Sequence, residues 1–464
     1  MPDYDLALIG SGPGGYVAAI HAARMGAKVA IVEQKETEWG GTCLNWGCIP
    51  TKTLIQSAEV LKAVRHAGEF GVKVGEPEVD WPAMQARKDR VVGGMRQGVQ
   101  GLLRANGVEM IVGRGRLAGA GRVRVDGREL SSRNVVLAPG SVVSRPPFAG
   151  AELALTSDDI LGLESVPASL VVIGGGVVGM EFAGVFSLLG TKVTVIEMLD
   201  QLLTPLDPDV AGRFQQLMAK RGVEFHLGAR VEAIERSEDG FNVRFDGRTI
   251  PSEQVLVAAG RRPNTADMGL EEAGVRLNRG AIQVDAHMRT SLENVFAIGD
   301  ATAISMLAHT ASYQGEVAVQ NALGEHQVSA DYAAIPACIY TDPEIAYVGQ
   351  SEAQARAGGE EVRVGSFPFA ALGRAMVLGE TDGMVKVVTD AKGFVLGVTI
   401  MGPRATDLIA EGVLAVHQGL TAAELHHAVH AHPTLPEAMA EAALDVYGRA
   451  VHIAPRKRAA RAGS

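Results

Sequence analysis

One pattern occurs twice in this chain, at a fixed distance. Leu6 to Ile9 is a short apolar run. It leads into Gly10-Ser11-Gly12-Pro13-Gly14-Gly15, an Ala-rich helical stretch to Met25, Gly26, a second apolar run from Lys28 to Val32, and then Glu33. Downstream, Leu170 to Ile173 leads into Gly174-Gly175-Gly176-Val177-Val178-Gly179, a helical stretch to Leu189, Gly190, the run Lys192 to Ile196, and then Glu197. Gly10, Gly26 and Glu33 each shift by 164 residues, to Gly174, Gly190 and Glu197. Each copy reads strand, glycine turn, helix, strand, acid. A single such fingerprint is weak; two with the same spacing and the same terminal acid specify two dinucleotide sites. The alternative, that these glycines only make tight strand–helix turns, is set aside by the match between the copies.

The physics is the same at both sites. The first glycine (Gly10, Gly174) permits the tight turn. The second (Gly12, Gly176) lets a pyrophosphate approach the backbone, and the third (Gly15, Gly179) lets the helix pack on the strand. The helix N-terminus then offers free N–H groups and the positive end of its dipole to the phosphates. Glu33 and Glu197 are each expected to accept a hydrogen bond from an adenosine ribose. An acid there repels a 2′-phosphate, so Glu197 favours NAD over NADP. A third segment adds to the first site: Asn294 to Ile298 reads as a strand that ends at Gly299-Asp300, an acid suited to a ribityl hydroxyl. A Gly-Asp pair alone is also a common turn.

The second chemical signal is a cysteine pair in Gly40-Gly41-Thr42-Cys43-Leu44-Asn45-Trp46-Gly47-Cys48-Ile49-Pro50-Thr51-Lys52. Five residues of ideal helix rise about 7.5 Å, and the Cα atoms of a disulfide rarely separate beyond about 7 Å. A bond between Cys43 and Cys48 therefore needs a distorted turn, which Gly47 and Pro50 suit. A strained bond is the more easily reduced one, as a catalytic disulfide should be. The competing readings are two buried thiols or zinc. Zinc lacks a second ligand pair at suitable spacing. Cys338 has no partner in sequence and reads as a small core residue.

Composition bounds the rest. The chain has 464 residues, of which 47% are hydrophobic, enough for about three domains with cores of their own. Forty-three basic against fifty-three acidic residues give a net charge of −10, a poor match for nucleic acid. No apolar run is long enough to span a bilayer, so no membrane is expected. The opening Met1-Pro2-Asp3-Tyr4-Asp5 is acidic and enters a strand at once, so no signal peptide is expected. Three cysteines in so long a chain point to a reducing compartment, and hence to the cytoplasm. The basic stretch from Arg456 to Arg461 reads as a solvated terminus.

From about Asp5 to about Val446 the chain resembles the pyridine nucleotide–disulfide oxidoreductase family. The marks are GSGPGG at Gly10, GGTCLNWGCIPTK at Gly40, GGGVVGMEFA at Gly174, GRRPNT at Gly260, AIGDA at Ala297, YTDPEIAYVG at Tyr340 and HPTLPE at His432. Within the family, MLAH at Met306 and HPTLPE at His432 are most similar to the members that oxidise dihydrolipoamide. Pro139 and Thr310 depart from the commoner Thr and Lys, and Trp46, Thr51 and Pro436 occupy positions where members vary. The resemblance implies an α/β fold with two Rossmann-like dinucleotide-binding domains and a C-terminal α+β dimerisation domain. Residues 1–140 and 265–335 would bind FAD, 141–264 would bind NAD, and 336–464 would join two subunits into a homodimer. From the sequence, Val362–Phe369, Met384–Thr389 and Val395–Met401 read as strands, and helical patterns begin at Thr406 and Ala438.

The resemblance also implies roles. His432, steadied by Glu437, would take a proton from a substrate dithiol. The resulting thiolate would attack Cys43, and Cys48 would leave as a thiolate against the flavin. The cofactor contacts implied are Gly10, Gly12, Gly14, Gly15, Glu33, Thr42, Lys52, Gly115, Gly140, Gly174, Gly176, Gly179, Glu181, Glu197, Gly260, Asp300, Met306, Ala308 and His309, with Lys52 and Glu181 as an ion pair near flavin N5. The natural substrate would be a lipoyl domain of an acyltransferase or an H-protein type partner. Related alternatives are a soluble transhydrogenase, a reductase of another small disulfide, or a non-catalytic complex subunit. The intact Cys43, Cys48, His432 and Glu437 set speaks against the last. His426, His427, His430 and His432 crowd one segment, and the spacing of His426 and His430 fits one helical face. No acid–His–His signature goes with them, so no metal is expected; a solvated or capping role is expected for the first three.

Overall fold

The computed structural model describes residues 2–359 and 361–454. The basic stretch 456–461 lies outside the described residues. The chain forms two compact units. The first comprises residues 1–174, 188–191 and 231–330, and the second comprises 175–187, 192–230 and 331–464. Among the described residues no helix is long and apolar enough to cross a membrane.

In the first unit the opening strand, Tyr4–Ile9, is almost wholly buried and sits at the centre of a parallel sheet. Val29–Glu33 pairs on one side of it and Arg128–Leu137 on the other, both parallel. Glu109–Val112 extends the sheet beyond the former, and Val295–Ala297 pairs in parallel with the latter. Strands buried on both faces read as continuous apolar runs, which is how Leu6–Ile9 and Ala30–Val32 read. Gly115–Gly119 and Arg122–Val125 continue from Arg128–Leu137 as an antiparallel meander. The helices Pro13–Arg24 and Ala308–Leu323 pack on each other. Small residues let them approach: a Cβ on Gly14 would meet the Ala311 carbonyl oxygen at 2.9 Å, and one on Gly315 would meet that of Gly14 at 2.8 Å. Residues nearly 300 apart in sequence thereby close one cradle.

Two short strands, Ser141–Val143 and Arg261–Pro263, pair antiparallel where the chain leaves and re-enters this sheet region. Between them lie the strand Ser169–Ile173, parallel to Gln254–Val257, and an antiparallel meander of Val231–Ser237, Gly240–Phe245 and Arg248–Ser252.

The second unit holds the Val177–Leu188 helix up to Ser187, and Lys192–Ile196 paired in parallel with Glu224–His226. It also holds a five-stranded antiparallel sheet in the order Ala337–Ile339, Glu344–Gly349, Val395–Gly402, Met384–Thr389, Arg363–Pro368. Helices Ala405–Gln418 and Glu437–Asp445 cover it around a core that includes Phe367, Phe369, Val387, Ile400 and Met439. Lys386 is buried in the strand Met384–Thr389. Its ammonium meets Asp207 at 3.0 Å, Asp209 at 3.1 Å and Glu352 at 2.9 Å. Asp207 also accepts the backbone N–H groups of Glu352 and Ala353, both at 3.1 Å.

Candidate active site

The two glycine turns share their geometry. Gly10 and Gly174 adopt φ of +101° and +116°, and at both a Cβ would collide with a backbone carbonyl, that of Ala138 or Ala258. Only glycine fits such a position. The acids are placed alike as well. Glu33 Oε2 accepts the N–H of Ser11 at 3.0 Å and its hydroxyl at 2.5 Å, while Glu197 Oε2 accepts the N–H of Gly175 at 2.5 Å. Ser11 and Gly175 each follow the first glycine of their turn, so the repeat extends to the hydrogen bonds. The second oxygens accept Gln34 N–H at 2.6 Å and Leu199 N–H at 2.8 Å. Burial raises the Glu33 carboxyl above its ordinary value, against the lowering pull of the Ser11 and Gln34 hydrogen bonds.

Both cradles fit a pyrophosphate. Gly12 precedes the Pro13–Arg24 helix with no side-chain cap, and a Cβ on it would meet no protein atom within 4 Å. Gly176 is open in the same way. Gly15 and Gly179 lie inside their helices, and Gly15 backs against the Gly10 carbonyl. Around the first cradle, the turn after Val295–Ala297 brings in Asp300, and Gly299 N–H donates to the buried Gln314 side chain at 2.6 Å. Gly115 opens its strand against Ile9 and Val32. Gly140 and Gly260 flank the short ribbon: their carbonyls accept Asn264 N–H at 3.0 Å and Ser144 N–H at 2.9 Å. Met306 is exposed, and Ala308 and His309 open the Ala308–Leu323 helix.

The cysteines sit at a helix break. Gly41–Asn45 is a short helix carrying Thr42 and Cys43, and a second helix, Cys48–Arg65, starts at Cys48. Trp46 and Gly47 leave helical geometry between them, with φ/ψ of −146°/27° and −128°/−114°. This is the distortion that a bridgeable pair requires. Asn45 holds the turn by donating to the carbonyls of Glu38, Trp39 and Gly41 at 3.0–3.1 Å. Pro50 falls in the first turn of the second helix, where it costs no hydrogen bond. The two sulfurs stand as a hydrogen-bonded dithiol, and that bond, followed by burial, pushes the Cys43 thiol up from its ordinary value. Half-buried Lys52 lies in the same helix as Cys48.

In the second unit, His432 Nδ1 and Glu437 Oε1 are 2.8 Å apart, and Glu437 Oε2 accepts Thr434 N–H at 2.7 Å. The helix that presents Glu437 is pinned at its far end. A Cβ on Gly365 would collide with the Ala442 carbonyl, and buried Asp445 accepts Ser366 N–H at 2.8 Å. The His432 side chain is 80% exposed, so the chain offers it outward, to a substrate or another surface. Buried Glu181 accepts Tyr340 N–H at 3.0 Å.

Two expectations change. The helix Ala422–His427 ends before His430, so His426 and His430 do not share a helical face. His430 is not solvated: its side chain is 10% exposed and its Nε2 meets Glu411 at 2.7 Å. Cys338 is half-buried, packing beside the core of the antiparallel sheet. Sequence reasoning missed Ser11, Ser141 and Gln314, which touch the predicted flavin cradle, and Arg261, which donates to Ser141.

The sequence profile of the pyridine nucleotide-disulphide oxidoreductase family matches residues 4–315, and that of the family's dimerisation domain matches 335–443. The chain belongs to this family: it is an oxidoreductase, its cofactors are FAD and NAD, and it forms a homodimer. Curated relatives include the dihydrolipoyl dehydrogenase of Chlamydia muridarum, 41% identical over 98% of this chain and 99% of the relative. That of Geobacillus stearothermophilus is 42% identical over 96% and 97%. Among solved structures, LpdA from Mycobacterium tuberculosis superposes with a TM-score of 0.88 at 30% identity, covering 95% of this chain and 99% of that one. The HOCl-induced flavoprotein disulfide reductase RclA from Escherichia coli gives 0.87 at 29% identity, with the same coverage.

Proposed function

We propose that this chain is a dihydrolipoyl dehydrogenase, a cytoplasmic homodimer that oxidises the dihydrolipoyl group of a partner's lipoyl domain with NAD+. The observation that carries the reading is the pairing of a Cys43–Cys48 dithiol at a helix break with an exposed His432–Glu437 pair in the same chain. In its oxidised form the cysteine pair is a disulfide. Glu437 fixes the imidazole so that Nε2 can take a proton from one substrate thiol, since the thiolate is the nucleophile. That thiolate attacks Cys43, the Cys43–Cys48 bond breaks, and Cys48 departs as a thiolate. The second substrate thiol then attacks the mixed disulfide, closing the lipoyl ring and releasing Cys43. The substrate has lost two electrons and two protons, and the cysteine pair holds the electrons. FAD supplies the acceptor for that electron pair and NAD+ carries it away as hydride.

The residues assigned to FAD are Gly10, Gly12, Gly14, Gly15, Glu33, Thr42, Lys52, Gly115, Gly140, Asp300, Met306, Ala308 and His309. Glu181 is assigned, with Lys52, to the flavin, and those assigned to NAD are Gly174, Gly176, Gly179, Glu197 and Gly260. This assigns residues 1–140 and 265–335 to FAD, 141–264 to NAD and 336–464 to the subunit interface. The partner supplying the lipoyl domain is an acyltransferase or an H-protein type carrier. The test compares NAD+ reduction by dihydrolipoamide with NADPH-driven reduction of glutathione disulfide and similar small disulfides. Dihydrolipoamide turnover at least a hundredfold faster supports the reading; faster NADPH-driven reduction overturns it.

A further inference from the structure

We propose that Ser141 and Arg261 form a directed hydrogen-bond relay that presents Asp300 to the polyol chain of FAD, with Asp158 anchoring its outer end. The inference rests on the assignment of Asp300 to FAD. Ser141 Oγ lies 2.5 Å from Asp300 Oδ2, Arg261 Nε lies 2.8 Å from Ser141 Oγ, and a second guanidinium nitrogen donates to the Ser141 carbonyl at 2.8 Å. The third guanidinium nitrogen is 3.6 Å from Asp158.

The direction of the chain follows from counting protons. A guanidinium can only donate, and a serine hydroxyl has one proton. Ser141 Oγ therefore accepts from Arg261 and must give its own proton to Asp300. That commits Oδ2 of Asp300 as an acceptor, and the proposal assigns the other carboxylate oxygen to ligand hydroxyls. Ser141 is 5% exposed and the Arg261 side chain 19%, so both bonds are largely sheltered from water. In such surroundings hydrogen bonds to charged groups are strong and their loss is costly. Burial raises the Asp158 carboxyl, with Arg261 opposing it, as suits an anchor drawn into the protein by its partner.

The placement has a consequence for the fold. Ser141 and Arg261 occupy the two strands that pair where the chain leaves and re-enters the flavin region, with Pro263 opposite Ser141 and Val143 opposite Arg261. The Ser141 bond to Asp300, backed by Arg261, ties that crossing ribbon to the flavin acid, 159 residues from Ser141 in sequence. Both are positioning residues.

The test titrates FAD into flavin-free protein and follows quenching of flavin fluorescence, with the thermal midpoint of each flavin-free variant measured in parallel. Ser141→Ala and Arg261→Gln should each weaken FAD about tenfold, the size of one lost hydrogen bond to a charged group. The double variant should be no weaker than the worse single one, because both changes break one chain. Arg261→Lys should recover only part of the loss, since an ammonium lacks the planar fork that serves Oγ and carbonyl together. Asp300→Ala should weaken FAD at least as much as either. Additive losses in the double variant overturn the relay. So do unchanged FAD affinity in Ser141→Ala, and a loss that only tracks a falling flavin-free midpoint. If Asp300→Ala leaves FAD affinity intact, the assignment of Asp300 fails and the relay fails with it.

Discussion

Glu437 gives one carboxylate oxygen to the His432 ring, at 2.8 Å, and the other to the backbone N–H of Thr434 two residues beyond that histidine. The acid thus holds both the ring and the turn that carries it. Burial works to raise the Glu437 carboxyl, but the Thr434 and His432 hydrogen bonds outweigh it and hold it below its ordinary value near 4.5. An ionised carboxylate can only accept, so Nδ1 of His432 must carry a proton and Nε2 is left basic. Because the folded value is depressed, this support is present above about pH 4.5 and is lost as pH falls through the folded value.

The first prediction follows. Glu437→Gln removes the obligatory acceptor, and its amide can donate to Nδ1 and select the wrong tautomer. Dihydrolipoamide oxidation should fall by at least about tenfold, while His432→Gln should cost roughly the 10²–10⁴-fold expected of a lost general base. Reduction of artificial acceptors by NADH, which needs no dithiol, should survive in both. A Glu437→Gln enzyme with full dithiol turnover would show that the carboxylate is only a helix-end contact.

Lys386 governs stability. Burial pulls its ammonium down, but hydrogen bonds to Glu352, Asp207 and Asp209 raise it above its ordinary value near 10.5. Asp207 and Glu352 are in turn lowered: burial raises each, and Lys386 with backbone or arginine donors outweighs it. The lysine's contribution is complete below about pH 10.5 and lost above the folded value; those of Asp207 and Glu352 are complete above their ordinary values near 3.8 and 4.5 and lost as pH falls through the lower folded values. Lys386→Met strands the buried Asp207 and should destabilise the protein by about 3–5 kcal/mol. Adding Asp207→Asn should restore part of that. Urea unfolding of the three proteins at pH 7 checks both statements.

Glu197 is held by Gly175 and Leu199 just past the end of its strand, and in its proposed role of accepting a ribose hydroxyl it would meet a 2′-phosphate with like charge. Glu197→Ser with an arginine introduced at Met198 should shift the ratio of kcat/KM for NAD+ over NADP+ by at least about tenfold toward NADP+. Equal use of both nucleotides by the unaltered enzyme would remove the acid from that role.

What the sequence disclosed depended on range. The glycine turns and their acids were legible because the needed backbone, φ beyond +100° with a carbonyl behind it, admits one residue type at Gly10 and Gly174. The helix break after Asn45 was legible from the pairing geometry of Cys43 and Cys48 together with Gly47. Ser141, Arg261 and Gln314 were not legible. Their partners lie 159, 120 and 15 residues away, and a serine, an arginine or a glutamine carries no local pattern that announces a partner. His430 was misjudged because a four-residue spacing implies a shared face only while the helix lasts, and this one stops at His427.

The last prediction concerns the two-fold axis. His432 is exposed and lies in the matched dimerisation segment, whereas Cys43 and Cys48 lie in the other compact unit. We propose that in the homodimer each dithiol site combines the cysteines of one subunit with the base of the other, so that two-fold symmetry makes two equal sites. Cys43→Ser should be inactive in dithiol oxidation when pure, and His432→Gln should keep about 1% or less. When they are mixed under conditions that exchange subunits, a mixed dimer carries both lesions at one site and neither at the other. Random exchange makes half the dimers mixed, so activity should recover to about a quarter of the unaltered enzyme's. Exchange itself is followed with subunits of two different masses. If mixed dimers form and no activity returns, His432 serves the cysteines of its own chain and the shared site is wrong.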